Sequence, residues 1–318
     1  MRTRATFAVS APAKVNLILR VGRKAADGYH PVFSIVQQLS LTDRLRVTAQ
    51  RHAIELTCRG VPVPGGRRNL IVQAAKRLRR AARLTAGAKI DLVKRIPVGA
   101  GLGGGSSDAA AAALALNRLW GLNWSRSRLA ALLAPLGSDV ALFFADPLAV
   151  VEGNGERVAP LPGRRAVGPW RFVVVYPEMA SPTAAAYRLL DRWRARHRAG
   201  RRVSPVPLTP HKREIIIHRF QRAIRQLHDT SWLSNDFEPV IEQAYPVIGE
   251  ARRLLAQAGA SGVLVSGSGS AVFGLFPSMR RARVAVAAVR RARPQWGVWA
   301  ARPLRRLASV RSIPARSR

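Results

Sequence analysis

At 318 residues, 48% of them hydrophobic, the chain is long enough for a large core, and length alone favours two domains of about 150 residues each. No uninterrupted apolar stretch approaches the roughly 20 residues of a membrane helix, and one cysteine, Cys58, excludes an internal disulfide or a cysteine metal cluster. The net charge of +36 comes mostly from arginine spread along the sequence, with Lys14, Lys24, Lys76, Lys89, Lys94 and Lys212 the only lysines. Without aromatic-basic interleaving or zinc-finger spacing, this charge reads as compositional bias and not as a specific nucleic-acid surface. Weak, non-specific attraction to RNA at low salt is still expected. The basic run Met1 to Ala5 reaches Lys14 and Asn16 before any signal-like apolar core forms, so a cytoplasmic protein is expected.

Short alternating or apolar runs predict strands over 6–10, 15–21 and 32–41, with Asp27-Gly28-Tyr29-His30-Pro31 as the turn between the last two. Further strands are expected at 45–48 and 54–57, followed by a loop over 62–68. From 69 to 83, Leu70, Ala74, Ala75 and Leu78 recur at helical spacing with arginines opposite, which predicts an amphipathic helix. A strand over 89–93 leads into a glycine-rich loop, and 109–120 is an unbroken run of strong helix formers. Ser125 is placed to cap a helix reaching Leu133, and Gly137-Ser138-Asp139 opens a short apolar element to Phe144. The stretch 160–169, rich in proline and glycine, reads as a crossover between domains. Beyond it, strands are predicted over 172–176, 262–265, 272–276 and 296–301, and helices over 184–197, 214–227, 239–258 and 280–293. Residues 198–208 read as a basic, proline-bearing loop. Strands and helices mix without a regular βαβ period, so the expected class is α+β.

The segment Pro97-Val98-Gly99-Ala100-Gly101-Leu102-Gly103-Gly104-Gly105-Ser106-Ser107 sets five glycines at the mouth of the predicted helix. Glycine lets backbone N–H groups turn toward a ligand without Cβ interference, and the helix N-terminus adds unsatisfied N–H groups and the positive end of its dipole. Such a site binds anions, most often nucleotide phosphate. The run lacks the lysine of the G-x-x-x-x-G-K-[ST] loop and the spacing of the dinucleotide fingerprint, and a flexible linker is the competing interpretation.

Two further motifs line up with this loop: Ala11-Pro12-Ala13-Lys14-Val15-Asn16-Leu17 and Val265-Ser266-Gly267-Ser268-Gly269-Ser270-Ala271. The triple resembles the GHMP kinase superfamily. Within it, Asp27-Gly28-Tyr29-His30, Leu136-Gly137-Ser138-Asp139-Val140 and Ser234-Asn235-Asp236-Phe237-Glu238-Pro239 resemble the branch that acts on a cytidine-diphosphate-linked methylerythritol. The resemblance implies ATP-dependent phosphorylation of that substrate's 2-hydroxyl, with Mg²⁺, on the non-mevalonate isoprenoid route. It implies an N-terminal ribosomal-protein-like β-α-β domain over 1–162 and a C-terminal ferredoxin-like α/β sandwich over 163–303, leaving 304–318 as a basic tail expected to fray. Competing expectations are a GHMP kinase for another alcohol, such as mevalonate or homoserine, against which the Asp27–His30 motif argues, and an RNA-binding protein. Oligomeric state and Mg²⁺ ligands are not readable.

The resemblance makes Asp139 the base that takes the alcohol proton and pairs it with Lys14; without it, Asp139 reads as a helix-start carboxylate and Lys14 as a solvent-facing strand lysine. Asn16 shares the register of Lys14 and contacts substrate, or is a satisfied core amide. The resemblance assigns the cytosine edge to His30, its enclosure to Tyr29, and a second aromatic to Tyr187 after Ser181-Pro182-Thr183; Thr183 joins the substrate set. Tyr187 otherwise reads as a core tyrosine. Asn69 matches a position near adenine or serves as a plain N-cap. Ser106 and Ser107 touch phosphate or Mg²⁺, or cap the helix, while Ser268 and Gly269 shape the pocket. Asp108 has no assigned role. Ala141 departs from the family's proline after G-x-D-V.

Overall fold

The computed structural model describes residues 5–163, 166–196, 208–224 and 229–314. In chain order the strands are β1 Thr6–Val21, β2 Val32–Gln50, β3 Ile54–Gly60, β4 Gly87–Lys94, β5 Leu148–Gly153, β6 Arg157–Pro160, β7 Arg171–Tyr176, β8 Ser234–Asn235, β9 Gly262–Val265, β10 Val272–Phe276, β11 Gly297–Ala301 and β12 Arg311–Ile313. The helices are α1 Leu70–Ala81, α2 Gly104–Leu119, α3 Arg126–Leu133, α4 Thr183–Arg196, α5 Pro210–Ala223, α6 Glu238–Ala244, α7 Pro246–Gln257 and α8 Met279–Ala292.

A large sheet carries the order β12-β1-β2-β4-β3, with β5 also paired to β2, β6 to β5 and β8 to β1. The long strand β2 serves two partners in succession, β5 along Val32–Gln37 and β4 along Arg44–Gln50. The smaller sheet, β11-β7-β10-β9, is antiparallel throughout. Its strands alternate between two cores, as a period of two requires. Phe172 and Val174 join β1 residues Ala13, Val15 and Leu17, whereas Val173 and Val175 face Ile248, Leu255, Ala285 and Val289 of α7 and α8. The two sheets therefore share one layer of apolar packing.

A bulge in the β1–β2 pairing decides what faces the glycine-rich loop. Val9 and Ala11 pack with the helices α1 and α2, but Ala13, Val15 and Leu17 pack with the small sheet. Between Pro12 and Ala13 the pairing is irregular, β1 advancing one residue while β2 advances three, from Thr42 to Leu39, and the two faces of β1 exchange across that irregularity. Lys14 and Asn16 thereby arrive on the α2 side. Alanine runs along α2 from Ala109 to Ala113, all buried, and the short side chains let it lie close to β1, β2 and α1.

Several boundaries differ from the sequence expectation. Strands expected at 6–10 and 15–21 form one continuous strand across the bulge, as do those at 32–41 and 45–48. The helix expected over 239–258 breaks at Tyr245 into α6 and α7, with Pro246 opening the second, since proline has no N–H to continue a helix. The tail expected to fray does not do so as far as Pro314. The Leu304 N–H bonds to the Gln38 carbonyl, and β12 pairs with Thr6–Ala8 at the edge of the large sheet. The expected loop at 198–208 and the end of the helix expected to 227 lie mostly outside the described residues.

Candidate active site

The loop between β4 and α2 has its carbonyls and its amides sorted to opposite sides. The carbonyl oxygens of Gly99, Ala100, Gly101 and Leu102 accept, in turn, from the Ser181 N–H (3.2 Å), the Ala271 N–H (3.0 Å), the Ser266 hydroxyl (3.0 Å) and the Lys14 N–H (2.9 Å). Among the described residues, no N–H from Gly101 to Ser106 has a protein partner. A row of free donors at a helix N-terminus is an anion cradle. Glycine is required at Gly101, where φ is +76° and an added Cβ would lie 2.1 Å from the Ser266 carbonyl oxygen. At Gly103, with φ +68°, it would press on the Lys14 stem at 3.0 Å.

In front of this cradle lies a cavity of about 620 Å³ lined by Lys14, Asn16, Gly101, Ser106, Asp139 and Thr183, among others. Lys14 is 5% exposed, and its Nζ lies 3.3 Å from Asp139 Oδ2 and donates to Asn16 Oδ1 at 2.7 Å. Asn16 Nδ2 donates to Ser34 Oγ, which donates to the Ile18 carbonyl. This chain of bonds fixes the ammonium, so its burial is compensated by a carboxylate and an amide oxygen. Asp139 stands in a turn before the short 3₁₀ helix Ala141–Phe144, with its side chain 39% exposed to the cavity. Ala141 opens that helix without the family's proline. The β5–β6 hairpin holds the segment in place: Gly155, with φ +103°, approaches so closely that a Cβ would lie 2.7 Å from Ser138 Cβ.

At the other end of the cavity α4 presents Thr183, Tyr187 and Asp191, spaced four residues apart and so on one face. The ring of Tyr187 stacks on His30 at 4.9 Å and meets Phe237 edge-on at 4.9 Å. Burial, with the Asp139 charge second, pushes the Tyr187 phenol up to about 12, so it is a neutral hydroxyl at physiological pH. Thr183 Oγ1 lies 3.2 Å from Ser268 Oγ, which ties α4 to the 266–270 turn. Arg194 donates to the Val21 and Gly22 carbonyls and, with Arg20, pairs with Asp236. Asp236 in turn accepts from the Val21 N–H. This clamp fastens α4 to the turn that carries His30.

Eight of the residues singled out from the sequence converge here: Lys14, Asn16, His30, Gly101, Ser106, Asp139, Thr183 and Tyr187 all line the cavity, whereas Pro97 to Ala100 and Leu102 to Gly105 are not among its lining residues. Tyr29 lines its rim and is 65% exposed, so it does not close over the cavity. Ser107 is buried, and among the described residues its hydroxyl has no hydrogen-bond partner. Asn69 caps α1, accepting from the Ile71 N–H and donating to the Pro64 carbonyl, beside a loop whose Gly105 lies near Leu70.

Sequence reasoning missed a buried cluster beneath the cradle. Lys94 Nζ bridges Asp43 and Asp108, donating to Asp108 Oδ2 at 2.8 Å, with all three side chains buried. Asp43 Oδ1 also accepts the N–H groups of Arg95 (2.6 Å) and Ile96 (2.9 Å), where β4 gives way to the loop. One signal was available: Lys94 continues the inward register of Ala88, Ile90 and Leu92, and a charged residue at an inward strand position needs a partner. Burial pushes the Asp108 carboxyl up to about 8, and the Lys94 charge opposes that rise.

Comparison with known proteins adds two domain matches and a close relationship. The GHMP kinases N terminal domain matches residues 69–146 and the GHMP kinases C terminal domain matches 214–295. A 4-diphosphocytidyl-2-C-methyl-D-erythritol kinase of Geobacter metallireducens is 38% identical over 300 residues, covering 94% of this chain and 99% of the relative. The crystal structure of a 4-(cytidine 5'-diphospho)-2C-methyl-D-erythritol kinase superposes with a TM-score of 0.72 at 36% identity, covering 92% of this chain and 98% of the other. A homoserine kinase of Cytophaga hutchinsonii shares the fold at 18% identity, with a TM-score of 0.66 and coverage of 96% and 97%.

Proposed function

The chain belongs to the 4-diphosphocytidyl-2-C-methyl-D-erythritol kinase family of GHMP kinases, and we propose that its Lys14 and Asp139 carry out the transfer of the γ-phosphoryl group of ATP to the 2-hydroxyl of that cytidylated methylerythritol. The products are ADP and the 2-phosphate, an intermediate of the non-mevalonate isoprenoid route. The observation that carries the assignment is the Lys14–Asp139 pair, 3.3 Å apart, facing the row of free amides across one cavity.

Phosphoryl transfer asks little covalent chemistry of the protein and much positioning and charge neutralisation. The amides of Gly101 to Ser106 and the N-terminus of α2 hold the phosphates. Asp139 accepts the proton of the 2-hydroxyl as the new P–O bond forms. Lys14 orients Asp139 and presents its remaining N–H to the transferring group, where its fixed charge opposes the negative charge that develops there. Asn16 holds the Lys14 ammonium through Oδ1 and keeps one amide N–H for substrate.

Among the described residues no group of three His, Cys, Asp or Glu side chains could hold a metal ion. Mg²⁺ does not need one, because it keeps several waters and binds through one or two carboxylates plus substrate phosphates. Asp139 and the Ser106 hydroxyl, which faces the Gly137 backbone, fit that donor set. When bound, the metal neutralises phosphate charge.

The cytidine end belongs against Tyr187, with His30 at the edge of the base, Tyr29 on its other side and Thr183 nearby, and adenine near Asn69 and the loop. We divide the chain at 162/163, the N-terminal part carrying the cradle and Asp139 and the C-terminal part Thr183 and Tyr187. No helix among the described residues is long and apolar enough to cross a membrane, and in this reading the enzyme works in the cytoplasm on a small molecule, without a specific nucleic-acid partner.

A coupled ADP-release assay comparing the cytidylated methylerythritol with mevalonate, homoserine and galactose tests the assignment. Turnover on the first alone is expected; turnover on one of the others alone would overturn it. Tyr187→Ala is expected to raise KM for the cytidylated substrate about 10- to 100-fold, the worth of one base–aromatic stack, with KM for ATP unchanged. Equal loss toward both substrates would instead mean that Tyr187 serves packing on Phe237.

A further inference from the structure

One carboxylate at the cytidine end has no part in the phosphoryl transfer. Asp191 lies one helical turn beyond Tyr187 on α4 and lines the cavity with Lys24, Tyr29, His30 and Arg188. Its side chain is 41% exposed, and Oδ2 lies 3.2 Å from His30 Nε2. The other ring nitrogen, Nδ1, lies 3.1 Å from the Gly22 carbonyl, which only accepts, so Nδ1 carries a hydrogen and the ring orientation is set. Arg194 fixes that same carbonyl. Among the described residues, the backbone N–H and C=O of His30 and the Asp191 Oδ1 have no hydrogen-bond partner.

This end of the cavity therefore offers one backbone donor, one backbone acceptor and one anionic acceptor close together. Cytosine matches that inventory: its N3 accepts and its exocyclic amino group donates two hydrogens. Uracil inverts both, with a donor at N3 and a bare oxygen at position 4. We propose that Asp191 is a specificity-determining residue, accepting one hydrogen of the cytosine amino group while repelling the oxygen that uracil carries there. The proposal rests on the reading that the cytidine end lies against Tyr187 with its base edge toward His30. The repulsive half matters as much as the attractive half, because discrimination is a difference between two affinities. A site built to bond a donor rejects the analogue lacking it more strongly than an apolar pocket can.

The test is steady-state kinetics of the wild type, Asp191→Asn and Asp191→Ala on the cytidylated methylerythritol and its uridine counterpart at saturating ATP. The cytidine-to-uridine ratio of kcat/KM is expected to fall at least about tenfold in both variants, the scale of one charge-assisted hydrogen bond. The change should come through KM for the cytidine substrate, with kcat within a few-fold of wild type. A ratio unchanged in variants that fold normally overturns the proposal, since a purely structural role for Asp191 would weaken both substrates alike. A second measurement needs no variant: CDP should inhibit the wild type at least tenfold more tightly than UDP, and equal inhibition overturns the proposal. Wild type that turns over neither nucleotide-linked alcohol, but phosphorylates mevalonate or homoserine, removes the underlying reading as well. Turnover of the cytidine substrate with an unchanged ratio removes only the role of Asp191.

Discussion

Asp139→Asn is expected to lower kcat by about 10²- to 10⁴-fold, the usual contribution of a positioned general base. Asparagine keeps the shape and one acceptor oxygen but cannot take the proton of the 2-hydroxyl. Lys14→Met should be at least as severe, because it removes the cation that faces the transferring group and strands Asn16 Oδ1, which now accepts from Nζ at 2.7 Å. Residues that act as a unit are not additive in such measurements, so the double variant should be little worse than the poorer single one. Single-turnover phosphorylation, with thermal unfolding to show that each variant folds, decides the matter. Folded Asp139→Asn protein with turnover within threefold of wild type would sink the assignment.

The second large effect concerns stability. Lys94→Met leaves the buried Asp43 carboxylate without a counter-charge, joined by Asp108 as the pH rises toward 8, and breaking a buried ion pair in this way costs about 3–5 kcal/mol. Asp43 also holds the Arg95 and Ile96 amides, so the damage should reach nucleotide binding as well. Asp108→Asn should behave oppositely. The Asp108 carboxyl is raised from an ordinary 3.8 to about 8 by burial, so the folded state holds this proton more tightly than the unfolded state does. Its contribution to stability is fully present below pH 4 and is lost as pH rises toward 8. Asparagine cannot ionise and escapes that loss. Denaturant unfolding at pH 5, 7 and 8.5 should show Asp108→Asn gaining on wild type as pH rises, and Lys94→Met falling further behind. Parallel pH profiles for wild type and Asp108→Asn would contradict the buried-proton account.

These two sites also mark how far sequence alone reaches. The glycine loop sits in a local motif whose chemistry can be read within a dozen residues, whereas the roles expected of Lys14 and Asp139 come only from the family resemblance of the motifs around them. The strands β9 and β10 and the caps at Ser125 and Asn69 are legible for the same reason: the signal is local. Asp43, Lys94 and Asp108 belong to three different elements, and only the sheet register brings them together. The same holds for β8 and β12, two and three residues long, which exist only because β1 offers free edges. The break at Pro246 is a different kind of miss: apolar spacing continued through a residue that chemistry forbids in a helix interior. The bulge before Lys14 left no mark in composition, yet it decides which face of β1 the lysine occupies.

The sorted loop implies something about the molecule's divisibility. Of the four carbonyls that anchor it, three are held by Ser181, Ser266 and Ala271 and only Leu102's by Lys14. The nucleotide cradle is encoded wholly before residue 162 but is braced largely by residues after it. A fragment cut at that boundary would keep the free amides of Gly101 to Ser106 and lose most of what aims them. On the proposed division at 162/163 the loop is thus not a portable module: sequence continuity puts it in one part of the chain, and mechanical support ties it to both.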